Sequence, residues 1–179
     1  MKKEVIIKEG VTISQQGHSV SIRGPKGELK REFKHPKVKI SVKDNNLVIN
    51  SETDRRKIGS TIGTWAAHLK NMMIGVTDGW EAKMKIVYQH FPVKIKIEGN
   101  SVIIQNFLGE RKDRKAKIMG DTKVDTKKDE LIITGIDKES VGQTCGNIEL
   151  VAKVRGKDRR VFSDGIFITS KPKPVEEKK

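Results

Sequence analysis

Aromatic residues are scarce in this chain: five Phe, two Trp and one Tyr among 179 residues, or 4 %. Grip on single-stranded nucleic acid by base stacking calls for more rings than that, which disfavours that class of binder. Cysteine occurs once, at Cys145, so no internal disulfide can form. His18, His35, His68 and His90 are scattered, with no pair at helical spacing and one Cys to assist them, so no metal site is legible and catalysis has little support. No apolar run approaches the roughly 18 residues of a spanning helix. The opening MKKEVIIKEG has neither the apolar core nor the cleavage site of a signal peptide, and the expected location is the cytoplasm.

Acidic residues are also few. Asp and Glu number 23 against 37 Lys and Arg, a net charge of +14. Self-repulsion on that scale calls for an acidic partner, most simply a phosphate backbone. Neither half is the sole basic one. Division after residue 81 leaves net charges of +6 and +8.

What the chain has is a repeat. Residues 10–28, GVTISQQGHSVSIRGPKGE, align without a gap on residues 92–110, PVKIKIEGNSVIIQNFLGE, with identities that include Val11/Val93, Ile13/Ile95, Gly17/Gly99, Val20/Val102, Ile22/Ile104 and Gly27/Gly109. Each copy alternates apolar and polar residues, breaks at a Gly and alternates again, the pattern of a β-hairpin buried on one face. Further strands are expected at 4–7, 28–33, 38–42 and 47–49, and then the period changes. Ile58, Ile62, Trp65, Leu69 and Met72 or Met73 form one helical stripe, with Thr53 or Asp54 as its cap and Gly75 as its end. A strand at 81–88 follows.

The second half repeats this order. Leu131-Ile-Ile133 corresponds to Leu47-Val-Ile49, and Val141-Gly-Gln-Thr-Cys-Gly146 to Ile58-Gly-Ser-Thr-Ile-Gly63. The reading is an α+β fold, a tandem duplication of a small module in which an antiparallel sheet carries one helix on a face. The expected bounds are 1–81, 82–171 and a disordered tail at 172–179. Cys145 stands where the first helix has Ile62, so it reads as a buried small hydrophobe rather than a nucleophile.

Two basic runs in the second module are the candidate nucleic-acid contacts. Arg111, Lys112, Arg114, Lys115 and Lys117 surround the lone acid Asp113; Lys153, Arg155, Lys157, Arg159 and Arg160 surround Asp158. The competing reading of each is an ordinary solvated strand edge. Gly156 argues against it for the second run, since a turn there lets the cations project into a groove. Lys171 and Lys173 extend the candidate set. Phosphate contacts of this kind supply affinity without sequence reading and suit a structured RNA recognised by shape.

The chain resembles a known family through Asn71-Met-Met-Ile-Gly-Val-Thr-Asp-Gly-Trp80, Asn106-Phe-Leu-Gly-Glu-Arg111 and Arg159-Arg-Val-Phe-Ser-Asp-Gly-Ile-Phe-Ile168. It is similar to the large-subunit ribosomal protein L-six, called L-nine in eukaryotes, and the last two motifs look like the archaeal and eukaryotic branch. The bacterial branch has a Tyr-Lys-Gly-Lys-Gly turn near its C-terminus, where this chain has 153–160. The resemblance implies a constituent of the large ribosomal subunit that binds large-subunit rRNA chiefly through the second module, near the factor-binding centre and stalk base. It implies neighbouring ribosomal proteins as partners, and no enzymatic activity, cofactor, small-molecule substrate or membrane. Outside the family, the alternatives are a free-standing structured-RNA-binding protein and a basic protein-interaction adaptor.

Overall fold

A computed structural model describes residues 1–43, 46–158 and 160–175. The chain divides into two compact units, Met1–Gly79 and Trp80–Lys179. In the first, β1 (Lys2–Ile6), β2 (Thr12–Gln16), β3 (Ser19–Gly24), β4 (Gly27–Glu32), β5 (Val38–Lys43) and β6 (Asn46–Ser51) precede α1 (Arg56–Thr77). In the second, β7 (Trp80–Val87), β8 (Lys94–Glu98), β9 (Ser101–Gln105), a 3-10 turn at Phe107–Gly109, β10 (Arg114–Lys117), β11 (Lys123–Lys127) and β12 (Glu130–Gly135) precede α2 (Lys138–Val151), and β13 (Gly165–Pro174) closes the unit.

The repeated hairpin is β2–β3 in one unit and β8–β9 in the other. Gln16 pairs with Ser19 and Glu98 with Ser101, so each loop has two residues. The first of them is a glycine at positive φ, +60° at Gly17 and +54° at Gly99. A two-residue loop with glycine at its first position is the type II′ arrangement, whose twist matches that of the flanking strands.

The duplicated α+β module is present, with one refinement. In each copy the ladder forms two antiparallel sheets rather than one: β1-β6-β5 and β2-β3-β4, then β8-β9-β10 and β11-β12-β7-β13. Each helix packs on both sheets of its unit, α1 against β1, β6, β3 and β4, and α2 against β7, β12, β13 and β10. The apolar stripes lie where their period places them, with Ile58, Ile62, Trp65, Leu69, Met72 and Met73 buried on α1, and Val141, Cys145 and Ile148 on α2. Ile62 is 3 % exposed and Cys145 1 %. Burial pushes the Cys145 thiol up to about 11, which removes it as a nucleophile at neutral pH.

Several boundaries differ from those read in the sequence. The α1 N-cap is Arg55, whose donor-only side chain cannot cap the first-turn N–H groups, and Asp54 before it accepts from the N-terminal ammonium at 2.8 Å. The helix runs through Gly75 to Thr77, and the glycine that ends it is Gly79, at φ +75° with its N–H on the Ile74 carbonyl. The units part after Gly79 rather than after residue 81, since Trp80 and Glu81 open β7, whose ladders are with β12 and β13. The tail expected from residue 172 is strand through Pro174: Lys173 pairs with Glu81 and Pro174 with Trp80. Two prolines are accommodated because β13 is the outer strand of its sheet and is bulged, so the missing N–H groups leave the interior ladder intact.

Candidate nucleic-acid interface

The segment 153–164 joins α2 to β13 and is braced at both ends. At its start, the orphan carbonyls at the end of α2 need donors. Arg114 of β10 supplies them, with Nη1 donating to the Val151 oxygen at 2.7 Å and to the Lys153 oxygen at 2.9 Å. The same guanidinium forks onto Glu110, Nε to Oε2 at 2.8 Å and Nη2 to Oε1 at 2.5 Å, and lies 4.3 Å from the centre of the Phe107 ring. Arg114 holds the Glu110 carboxyl below its ordinary value against the opposing effect of burial, and the fields of Lys157 and Arg155 act in the same direction as Arg114. The segment Asn106-Phe-Leu-Gly-Glu-Arg111 thereby acquires a physical meaning. Asn106 accepts a left-handed backbone at φ +57° and donates to the Pro92 oxygen, Phe107 is buried beneath the guanidinium, and Glu110 grips it.

At the other end stands Asp164, buried at 3 % exposure. Its carboxylate accepts from the backbone N–H of Gln89 at 2.9 Å and of His90 at 3.4 Å, and meets His90 Nδ1 at 2.9 Å. Burial alone would raise the carboxyl; the bonds from Gln89 and His90 outweigh it and leave the pKa below the ordinary value. The His90 ring stacks on Phe162 with centroids 4.6 Å apart, and Lys157 Nζ lies 4.5 Å from the other ring contact of this stack, the Phe162 centroid. Between the ends, Gly156 turns the chain at φ +68°. Asp158 closes the next turn, its carbonyl accepting from Phe162 N–H and its Oδ1 from Arg160 N–H, both at 2.9 Å. The Asp158 carboxylate is thus partly spent on the loop's own backbone.

This arrangement presents Lys153, Arg155, Lys157 and Arg160, all exposed, on a shaped loop. Arg159 lies outside the described residues. Arg111 and Lys112 are exposed on the segment after Glu110, which Arg114 ties to the loop's start, so the two basic runs converge. Lys115 is exposed on β10. Arg114 differs from the other cations of the set: only 16 % of its side chain is accessible, and its guanidinium is hydrogen-bonded to Glu110 and to the Val151 and Lys153 carbonyls, so it braces the start of the loop. Lys171 and Lys173 are exposed but separate. They sit six and eight residues along β13 from Gly165, roughly 20 Å or more at about 3.3 Å per residue.

Sequence reasoning missed the bracing residues. Glu110 and Asp164 were visible as parts of motifs, but their partners, Arg114 and His90, carry no local signal of the role. On β7, Lys83 and Lys85 are exposed on the sheet face opposite α2, alternating with buried Ala82, Met84 and Ile86. Among the described residues no cluster of His, Cys, Asp and Glu could hold a metal ion, and no helix is long and apolar enough to cross a membrane.

The sequence matches the family model described as "Ribosomal protein L6" over two segments, residues 7–79 and 91–165, one in each structural unit. The chain belongs to the ribosomal protein L6 family. Its relatives include proteins named "Large ribosomal subunit protein uL6" from three archaea. That of Methanothrix thermoacetophila is 47 % identical over 175 residues, 96 % of this chain and 99 % of the relative; that of Methanosarcina mazei is 46 % identical over 169 residues, 94 % and 96 %. The protein from Natronomonas pharaonis is 41 % identical over 172 residues, 96 % and 97 %. Membership in this ribosomal protein L6 family makes the chain a structural component of the large ribosomal subunit and not an enzyme. Two matched segments in one chain also account for the internal repeat. The basic loop at 153–164 falls within the second match.

Proposed function

We propose that this chain binds large-subunit rRNA in the assembled ribosome, near the factor-binding centre and the stalk base, with the loop at 153–164 as a principal contact. The observation that carries the reading is the loop itself: Lys153, Arg155, Lys157 and Arg160 are exposed on a segment fixed at one end by Arg114 and at the other by Asp164. Cations held in place lose less conformational entropy on meeting phosphates than cations on a free arm. Arg111, Lys112 and Lys115 extend the contact along β10 and the segment before it, while Lys171 and Lys173 touch a separate stretch of RNA or a neighbouring ribosomal protein. Cytoplasmic large subunits are the setting.

The test is the salt dependence of binding to large-subunit rRNA. Replacing Arg155, Lys157, Arg159 and Arg160 with Ala should reduce the log–log slope by about 3 to 4 units, at ~0.7 to 0.9 per phosphate contact. Lys30, Lys34, Lys37 and Lys39 of the first unit are exposed, and replacing them removes the same charge. That control should weaken binding less and leave incorporation into large subunits intact. Equal losses would reduce the loop to its contribution to total charge.

A further inference from the structure

The two units differ at one edge. In the second, the inner sheet runs β11-β12-β7-β13; in the first, the equivalent sheet runs β5-β6-β1 and stops. The equivalence is fixed by register. Val5 of β1 pairs with Leu47, as Met84 of β7 pairs with Leu131, and Leu47 and Leu131 are corresponding residues of the repeat. On its other side Met84 pairs with Ile168 of β13, whereas Val5 is on the outermost strand. What the second unit fills with its own last strand, the first leaves open.

The open edge has a matching groove beside it. A cavity of about 500 Å³ lies between β1 and α1, walled by Val5, Gly63, Ala66, Ala67, Met73 and Ile74. In the second unit β13 occupies the corresponding place with an alternating pattern: Ile166 is buried and Ile168, Ser170 and Pro172 are half-buried, while Phe167, Thr169, Lys171 and Lys173 are exposed. Pro172 lies close enough to Gly142 of α2 that a Cβ on the glycine would be 3.7 Å from its ring. In the first unit the counterpart of Gly142 is Gly59, where a Cβ would stand 2.9 Å from Met1 Sδ, so the chain's own first residue fills the place of Pro172; further along α1, Gly63 in the wall of the cavity faces nothing within 4 Å of where a Cβ would stand.

We infer that the free edge of β1 and the groove under α1 form a docking site for one extended strand of another protein, added antiparallel to β1 as β13 is added to β7. The edge supplies unpaired backbone donors and acceptors, and the groove takes alternate apolar side chains. Lys3, Lys8 and Lys70 border the groove against one acid, Glu4, which is paired with Lys2, so the lining is net basic and the strand it selects carries acidic residues among its apolar ones. A second copy of this chain is a poor occupant, because two molecules of net charge +14 repel and edge lysines guard against self-pairing. Nucleic acid is a poorer one: the bordering lysines attract phosphates, but the open strand edge and the walls of Val, Ala, Met and Ile call for a peptide backbone and apolar side chains, which a polynucleotide does not supply. This inference is independent of the rRNA reading, and its test uses the free chain, so either can fail alone.

Two ten-residue peptides serve as probes: residues 165–174 of this chain, and the same sequence with both lysines replaced by Glu. Titrated into the isotope-labelled full chain, the Glu peptide should shift the backbone amides of residues 2–6 and of Ala66, Ala67 and Lys70. It should bind about three- to fivefold more tightly than the Lys peptide, as expected for opposite-charge pairs across a strand edge. Ala67 is exposed, so Ala67→Trp should preserve the fold, seen as unchanged amide shifts elsewhere, while blocking the groove and abolishing the response. The inference is overturned if millimolar peptide leaves residues 2–6 unmoved, if Ala67→Trp binds as the parent does, or if only an RNA hairpin moves these amides.

Discussion

Asp164 and His90 stand 74 residues apart in the chain, yet the carboxylate Oδ2 lies 2.9 Å from the imidazole Nδ1. This contact ties the exit of the basic loop to the end of β7, and with Phe162 stacked on the same imidazole it orders the segment that carries Lys157.

The Asp164 carboxylate predicts a pH dependence. Its pKa in the folded chain is depressed below the ordinary 3.8. The stabilisation it gives is therefore fully present above the unfolded-state value and is lost as pH falls through the lower folded value. Replacing Asp164 with Ala takes the acceptor from the part-buried N–H groups of Gln89 and His90, a cost of about 1 to 2 kcal/mol at neutral pH. Urea midpoints at pH 7 should separate parent and Asp164→Ala widely, and the gap should narrow at the acid end. A gap that is constant with pH would show that the carboxylate's charge contributes nothing.

Arg114 gives a second prediction, because bracing and direct RNA contact leave different signatures. Arg114→Lys keeps the charge but loses the fork onto Glu110 and the paired bonds to Val151 and Lys153. It should lower stability by about 2 kcal/mol, in line with charge-assisted bonds, and speed hydrogen exchange across 152–158. The salt slope for RNA binding should stay nearly unchanged. If stability is unaffected and Arg114→Ala instead reduces the slope by about 0.7 to 0.9, Arg114 is a phosphate ligand after all.

The repeat was legible because it rests on local chemistry. Gly17 and Gly99 mark the same two-residue turn, and the stripe from Ile58 to Met73 states a helix with one buried face. What stayed hidden depends on partners distant in sequence. Arg114 sits in a run of exposed cations and looks like one of them; only the packing of β10 against α2 places it under the Val151 carbonyl. Pro172 and Pro174 read as the start of a tail because composition does not reveal that they lie on an outer strand. The basic character of 153–160 was plain, and so was the turn at Gly156, but the stack of His90, Phe162 and Lys157 that shapes the loop has no signature in spacing.

Cys145 supplies a third prediction. A thiol that is 1 % exposed, with its pKa at about 11, should not react with a water-soluble disulfide reagent in the native chain and should react stoichiometrically in denaturant. Cys145→Asp should unfold the second unit, because an unpaired buried charge costs more than a small module can supply. Ile62→Asp should do the same to the first. Soluble, cooperatively folded protein from either Asp variant would mean that the buried stripe tolerates a charge and that the two helices are not equivalent.

The last prediction concerns the end of β13. Truncation after Pro174 removes no residue of a described strand, and the thermal midpoint should hold. Truncation after Lys171 removes Pro172, which packs beside Gly142 of α2, and the pairings of Lys173 with Glu81 and Pro174 with Trp80. Loss of that cover and those pairings should cost about 1 kcal/mol or more, which lowers the midpoint of a chain this size by about 2 to 4 °C for each kcal/mol. The uncovered residue matters as much as the lost strand: Trp80 is 3 % exposed, with Lys138 Nζ lying 4.4 Å from its ring centroid, so the shorter truncation product should show a red-shifted tryptophan emission. Trp65 belongs to the first unit and provides a constant background. Identical melting and emission for the two truncations would mean that the final rungs of β13 carry no stability and that the unit is complete at Lys171.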